Sequence, residues 1–198
     1  MRTPMLARPT VARLTLFVTT AMLLAACAGE TTAPTATRLV PTEANKALLG
    51  AEDKTYTFFV DPNRSQTLSF GKSHLDLPAN SICDIAKSEY GPAYWNSPCR
   101  LAKWTMMITA TVRNAHTSNP RVDFEPALRF NPNTNVNLSL FVSDTETLNN
   151  VLVLKYCTST SHCVDESLTD ASLVTTVNKP LQEVSRRIKH FSGYVVSE

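Results

Sequence analysis

Glycine is scarce in this chain, five residues in 198, and it never clusters. No Gly-rich phosphate-cradling loop, G-x-S-x-G elbow, heptad or internal repeat occurs. That argues against P-loop nucleotide chemistry, the α/β-hydrolase nucleophile, coiled coils and solenoids. Charge is sparse too: 18% of residues are charged, and no acidic residue precedes Glu30. No basic patch argues for nucleic acid, and no residue set calls for a cofactor. The one long apolar run, Leu14 to Ala26, has thirteen residues. At helical rise it covers roughly 20 Å, short of the roughly 30 Å hydrocarbon layer, so a membrane-spanning helix is disfavoured. What is plentiful is Thr, Ser, Asn and Val within an ordinary 43% apolar content. That bias suits an exported all-β domain with a packed core better than a cytosolic helical one.

Arg2, Arg8 and Arg13 precede the apolar run, and small residues end it. A basic n-region, a short h-region and a small-residue exit predict a secretory signal over residues 1–26. The exit Leu24-Ala25-Ala26-Cys27 resembles the bacterial lipoprotein box. That resemblance implies diacylglycerol on Cys27, cleavage before it and acylation of the new amino group, so the chain would meet its membrane through lipid. Two or three acyl chains supply the several anchors that stable attachment needs. Ala28 follows Cys27 where an Asp often marks inner-membrane retention, which favours an outer membrane or cell surface in a bacterial envelope. Removing Arg2, Arg8 and Arg13 takes Lys plus Arg from 19 to 16 against 17 Asp plus Glu, leaving the mature chain near −1. Residues 27–53 read as the lipidated terminus and a flexible tether. "AGETTAPTATRLVPTEA" lacks aromatics and cannot bury enough apolar surface to offset its ordering entropy. "NKALLGAE" is expected to form a brief helical turn ending at Gly50.

With Cys27 assigned to lipid, Cys83, Cys99, Cys157 and Cys163 remain, an even set that reads as disulfides in an exported protein. Of three pairings, Cys83–Cys99 and Cys157–Cys163 are favoured because each closes a local loop rich in turn formers. Zinc held by Cys157, His162 and Cys163 is the competing reading. Their spacing is not a zinc-finger pattern, no second close pair completes four ligands, and no metal is expected.

From residue 54 to 198 the pattern is all-β, a sandwich or barrel-like domain of about ten short, mostly antiparallel strands. "TYTFFV" (Thr55–Val60), "QTLSF" (Gln66–Phe70) and "SHLDL" (Ser73–Leu77) open it, broken at Asp61-Pro62-Asn63 and Gly71. Leu75 and Leu77 face one side and His74 and Asp76 the other, so His74 is expected toward solvent. A long excursion follows, with a helical turn expected over Asp84–Glu89. "KWTMMITATVR" (Lys103–Arg113) alternates from Trp104 through Met106, Ile108 and Ala110. Short strands follow around Val122–Phe124 and Ala127–Phe130, then Asn135–Val142. "VLVLKYC" reads as a continuously buried strand, "SLVTTV" (Ser172–Val177) as another, and "EVSRRIKH" with "FSGYVV" as a closing hairpin.

Three stretches carry a family resemblance. "FGKSHLDLPAN" resembles the G-x-L-x-I-P-x-G-A opening of the ZU-five domain. "VDFEPALRFNPNTNVNLSLFV" is similar to its P-x-G-x-x-F-x-x-P-V-x-L segment through Pro126, Phe130, Pro132, Val136 and Leu138. "KHFSGYVV" resembles the closing HFS-x-Y-V strand of bacterial relatives. Asn80 and Ser81 stand where the family commonly has Gly-Ala, and the disulfide-bounded excursion is an insertion. The resemblance implies a β-rich domain that mediates protein–protein contacts and has no catalytic motif.

The chain is therefore expected to be a non-catalytic envelope lipoprotein that binds or scaffolds an envelope protein or glycan. The loop from Ala79 to Pro98 is the expected contact surface, offering Tyr90, Tyr94 and Trp95 on a disulfide-braced platform. Against this stands the plainer role of Trp95 as a cover for the core where the loop folds back. A glycan hydrolase using paired carboxylates would have to draw on Asp165, Glu166 and Asp170, which read as a solvated turn and helix cap. A Ser192–His190 pair is a further catalytic alternative, two residues apart on a strand with no orienting acid in evidence. A purely structural module of an envelope assembly is the third.

Overall fold

The computed structural model describes residues 53–198. The signal, Cys27, nearly all of the tether and the helical turn expected before Gly50 lie outside these residues. Within them alternating apolar residues build eleven strands: β1 (Lys54–Val60), β2 (Gln66–Phe70), β3 (Ser73–Leu77), β4 (Met106–Arg113), β5 (Arg121–Glu125), β6 (Val136–Phe141), β7 (Val153–Cys157), β8 (Cys163–Val164), β9 (Thr176–Asn178), β10 (Glu183–Ile188) and β11 (Gly193–Ser197). Helical structure is confined to three-residue 3-10 turns.

The strands form two antiparallel sheets, one ordered β1-β4-β5-β11-β7-β8 and the other β2-β3-β6-β10-β9. Neither closes on itself, so the domain is a sandwich and not a barrel. Period-two alternation sends one face of each strand inward. Val60, Ile108, Ala110, Val112, Val122 and Phe124 from the first sheet meet Leu68, Phe70, Leu75, Leu77, Leu138 and Leu140 from the second in one core. Phe70 and Phe124 touch edge to face across it, centroids 5.8 Å apart. Each such side chain contributes about 1.5–3 kcal/mol by leaving water.

Both expected disulfides form. Cys83 and Cys99 lie with Cα atoms 5.7 Å apart across the long loop. Cys157 and Cys163 pair directly across the β7–β8 ladder. His74 holds the outer face of its sheet, part-exposed between Asp76 and Glu183.

Four local expectations change. β4 begins at Met106, and Trp104 is 72% exposed instead of joining the inward row. Residues just before it are held elsewhere: Ala102 N–H donates to Ile82 O and Leu101 bridges Cys83, so the chain bends before the strand starts. In "VLVLKYC" only Leu152, Leu154 and Cys157 are buried, because β7 has an outward side and Val151 projects into solvent. The first half of "SLVTTV" is a 3-10 turn, Ala171–Leu173, capped by the Asp170 carboxylate accepting from Ser172 N–H, and only Thr176 and Val177 enter β9. Asp84–Glu89 makes an isolated turn closed by Lys87 N–H on Asp84 O, while the helical turn is Pro92–Tyr94.

The closing hairpin is the largest correction. β10 pairs with β6 and β9, whereas β11 lies between β5 and β7 in the other sheet. Residues 189–192 therefore cross from sheet to sheet. They are strapped to the preceding segment by Phe130 N–H on Lys189 O at 2.8 Å and Phe191 N–H on Leu128 O at 2.8 Å. Phe124 N–H donates to Ser192 O at 3.1 Å. Ala127–Phe130 is thus the strap of the crossover and forms only isolated bridges.

Candidate binding site

The crossover lies under the disulfide-braced loop, and the two are built around each other. Arg129 of the strap is buried, and its guanidinium donates to Tyr94 O, to Ser97 O at 2.7 Å and to Pro98 O. One planar cation gathers the carbonyl that ends the Pro92–Tyr94 turn and two from the chain just beyond it. Lys189 on the crossover reaches Asn96 from below and also pairs with Asp170. That ammonium holds the Asp170 carboxyl low, at about 2.

These anchors decide where the three aromatics go. Trp95 is 9% exposed and stacks on the His190 imidazole at 3.8 Å, with Tyr156 edge-on to it at 5.6 Å. It covers the core where the loop folds back, so its ring face is turned inward. Tyr94 is half-buried. Tyr90 is the outward-facing member, 43% exposed, with its hydroxyl donating to Phe191 O at 2.6 Å. Burial, with Tyr156 and Glu166 nearby, pushes its phenol up to about 12.

Beneath Trp95 runs a buried polar chain. Glu166 pairs with Arg186 through one carboxylate oxygen and meets His190 Nε2 at 3.2 Å through the other. His190 Nδ1 lies 3.2 Å from Ser192 Oγ. Arg186 also donates to Leu154 O at 2.6 Å, and the Tyr194 hydroxyl donates to His190 O at 2.7 Å. The acid that the sequence did not supply for Ser192–His190 is thus Glu166, brought in from the turn after β8. His190 is wholly buried, with Trp95 over its face, and the Glu166 carboxylate is already committed to a guanidinium. The chain thus has the residue types of a hydrolytic relay, with the imidazole buried and Ser192 part-exposed in the depression beside Tyr90.

The three acidic residues do not converge. Asp165 caps the 3-10 turn Glu166–Leu168 by accepting from Ser167 N–H, and Asp170 caps the next turn, as the sequence suggested. Glu166 between them departs from that reading, since it is buried against Arg186. Cys157 and Cys163 are spent in a disulfide, and His162 is exposed beside the hydroxyls of Ser159 and Ser161.

An apolar surface adjoins Tyr90. Phe59 on β1 is 77% exposed and faces Met107 on β4 in direct register, and Met107 is exposed as well. Met107 and Tyr90 share a shallow depression with Thr109, Glu125 and Ser192. Trp104 and Ile85, both exposed, line a second depression that reaches Met106. Sequence reading missed this surface because it assigned Trp104 to the inward row. The signal available was two large apolar residues at outward positions of β1 and β4. Among the described residues β1 is an edge strand, so the surface adjoins a free sheet edge. In comparisons with protein-family models, curated proteins and solved structures, the chain matches none.

Proposed function

We propose that this chain is a bacterial envelope lipoprotein, held by acyl chains on Cys27, whose non-catalytic β-sandwich binds another envelope protein. The observation that carries the anchoring is the Leu24-Ala25-Ala26-Cys27 stretch at the end of an apolar run, in a chain whose other four cysteines are all paired. Disulfides belong to an oxidising compartment, and pairing four of five leaves Cys27 alone for another use. The binding surface is the outer corner formed by Phe59, Met107, Tyr90, Trp104 and Ile85. Exposed apolar side chains of this size, beside a sheet edge, are costly to keep in water and mark interaction sites.

A ZU-five-like assignment is compatible with this role, since domains of that family mediate protein contacts. The matched positions Leu77, Phe130, Val136 and Leu138 are all core residues here, so the likeness speaks to packing more than to a partner.

The wild-type chain is expected in the membrane fraction with an acylated Cys27, and Cys27→Ser in the soluble fraction. An unmodified Cys27 in the intact mass of mature protein would sink the anchoring claim. Cross-linking in native membranes should yield a defined protein adduct that Phe59→Glu with Met107→Glu abolishes, while circular dichroism stays unchanged. Retention on purified cell-wall glycan without that adduct would move the assignment to a glycan partner.

A further inference from the structure

A second site lies away from that corner, where the start of β1, the β2–β3 turn and the end of β4 enclose a cavity of about 310 Å³. Its wall is mainly apolar: Tyr56, Phe70, Val112, Ala115 and Phe141. Besides the hydroxyls of Tyr56 and Ser73, its polar side chains are basic. Lys54 and Lys72 line it, as does His116 from the loop after β4, and among the described residues no carboxylate does. The lysines stand over aromatic rings of the wall, Lys54 Nζ 5.0 Å from the Tyr56 centroid and Lys72 Nζ 4.3 Å from that of Phe141. Ring faces hold ammonium groups without neutralising them. Among the described residues neither lysine has a carboxylate within ion-pair distance.

The turn is shaped to leave the space open. Gly71 has φ +71°, and a Cβ there would sit 3.4 Å from Tyr56 Oη. A side chain at this position would be strained by the left-handed backbone and would start in contact with the Tyr56 hydroxyl.

We propose that this cavity binds a small amphipathic anion, its compact apolar body against Phe70, Val112 and Ala115 and its carboxylate or phosphate between Lys54 and Lys72. The volume is at the small end of ligand pockets, which suits a short acyl or aromatic body. The ammonium groups at the mouth supply the charge complementarity, and the apolar wall supplies the burial. This site is independent of the protein-binding corner and of the anchor.

Full chain carrying Cys27→Ser, so that no acyl chain competes, is titrated with octanoate, octyl phosphate and neutral octanol by calorimetry. The shifts of the Val112 and Ala115 methyl resonances locate any binding. Saturable sub-millimolar binding of an anion, with octanol at least about tenfold weaker, is the expected result, and the two anions separate a carboxylate ligand from a phosphate one. Lys54→Glu with Lys72→Glu should weaken the preferred anion about tenfold or more. Ala115→Phe should fill the cavity and abolish binding while near-UV circular dichroism stays native. Equal binding of octanol, undiminished binding in the charge-reversed variant, or no saturable binding of either anion would overturn the proposal.

Discussion

Arg129 has no carboxylate partner among the described residues; three main-chain carbonyls of the long loop share its charge. Hydrogen bonds to a charged group contribute about 1.5–3 kcal/mol each, and stranded buried carbonyls are costly. Arg129→Ala is therefore expected to lower stability by about 2–4 kcal/mol in urea unfolding, and to open residues 90–98 to protease. Arg129→Lys should recover less than half, because an ammonium cannot span the carbonyls as a planar fork does. Tyr90 illustrates a different consequence of burial. Its phenol is pushed up to about 12, with burial the main cause. An unfolded tyrosine ionises near 10, so the folded state binds its proton more tightly and stability falls as pH climbs from about 10 to 12. Phenolate absorbance should show a late-titrating component that shrinks in Tyr90→Phe and persists in part through Tyr194, which burial also raises.

Among the elements, the loop closed by Cys83–Cys99 and the β7–β8 turn closed by Cys157–Cys163 differ in what their cross-links do. The first spans 16 residues of largely irregular chain and the second spans 6 residues. Loop-closure entropy assigns roughly 3 kcal/mol to the longer and about 2 to the shorter. Cys83→Ala with Cys99→Ala should therefore lower unfolding free energy more than the Cys157/Cys163 double alanine, by about 1 kcal/mol in denaturant titrations. A reversed order would mean that Arg129, Lys189 and Trp95 already hold the longer loop. β10 and β11 show why the closing hairpin read from sequence fails. A hairpin needs only two alternating runs and a short connection, and "EVSRRIKH" and "FSGYVV" satisfy that locally. The alternation of Val184, Arg186 and Ile188 is the same whichever strand lies alongside, so it cannot name the partner. The partners are β6 and β9 for one strand and β5 and β7 for the other, choices made by distant residues.

For the molecule as a whole, the acid side of the pH profile is set by carboxylates held low. Asp170 is brought to about 2 mainly by its hydrogen bond from Lys189. Burial raises Asp123, but its bonds from Arg121 and Arg113 outweigh it and the net shift is downward. A carboxyl whose folded pKa is depressed contributes stability that is complete above its unfolded value near 4 and is lost as pH falls through the folded value. Thermal midpoints should hold above about pH 4 and drop between about 4 and 2. In Asp170→Asn that drop should be shallower; an unchanged profile would show that Lys189 is not the partner that matters.

Composition and period-two alternation were enough to determine an all-β class, most strand positions and the inward row of β3, because each depends on near neighbours along the chain. The local disulfide pairing was legible for the same reason, since short loops bring their ends together cheaply. The apolar run and the cysteine that ends it are local signals too, and they carry the anchoring proposal. Tertiary structure decided what involves partners far apart in sequence: a sandwich instead of a barrel, the crossover at residues 189–192, Glu166 beneath His190, and Arg129 under the loop. It also turned Trp104 outward, reversing the role that its neighbourhood in sequence suggested, and gave Trp95 the core-covering role that the sequence had left open beside a binding one. Side-chain alternation records that a residue has two sides; which side meets protein depends on what the rest of the chain packs there.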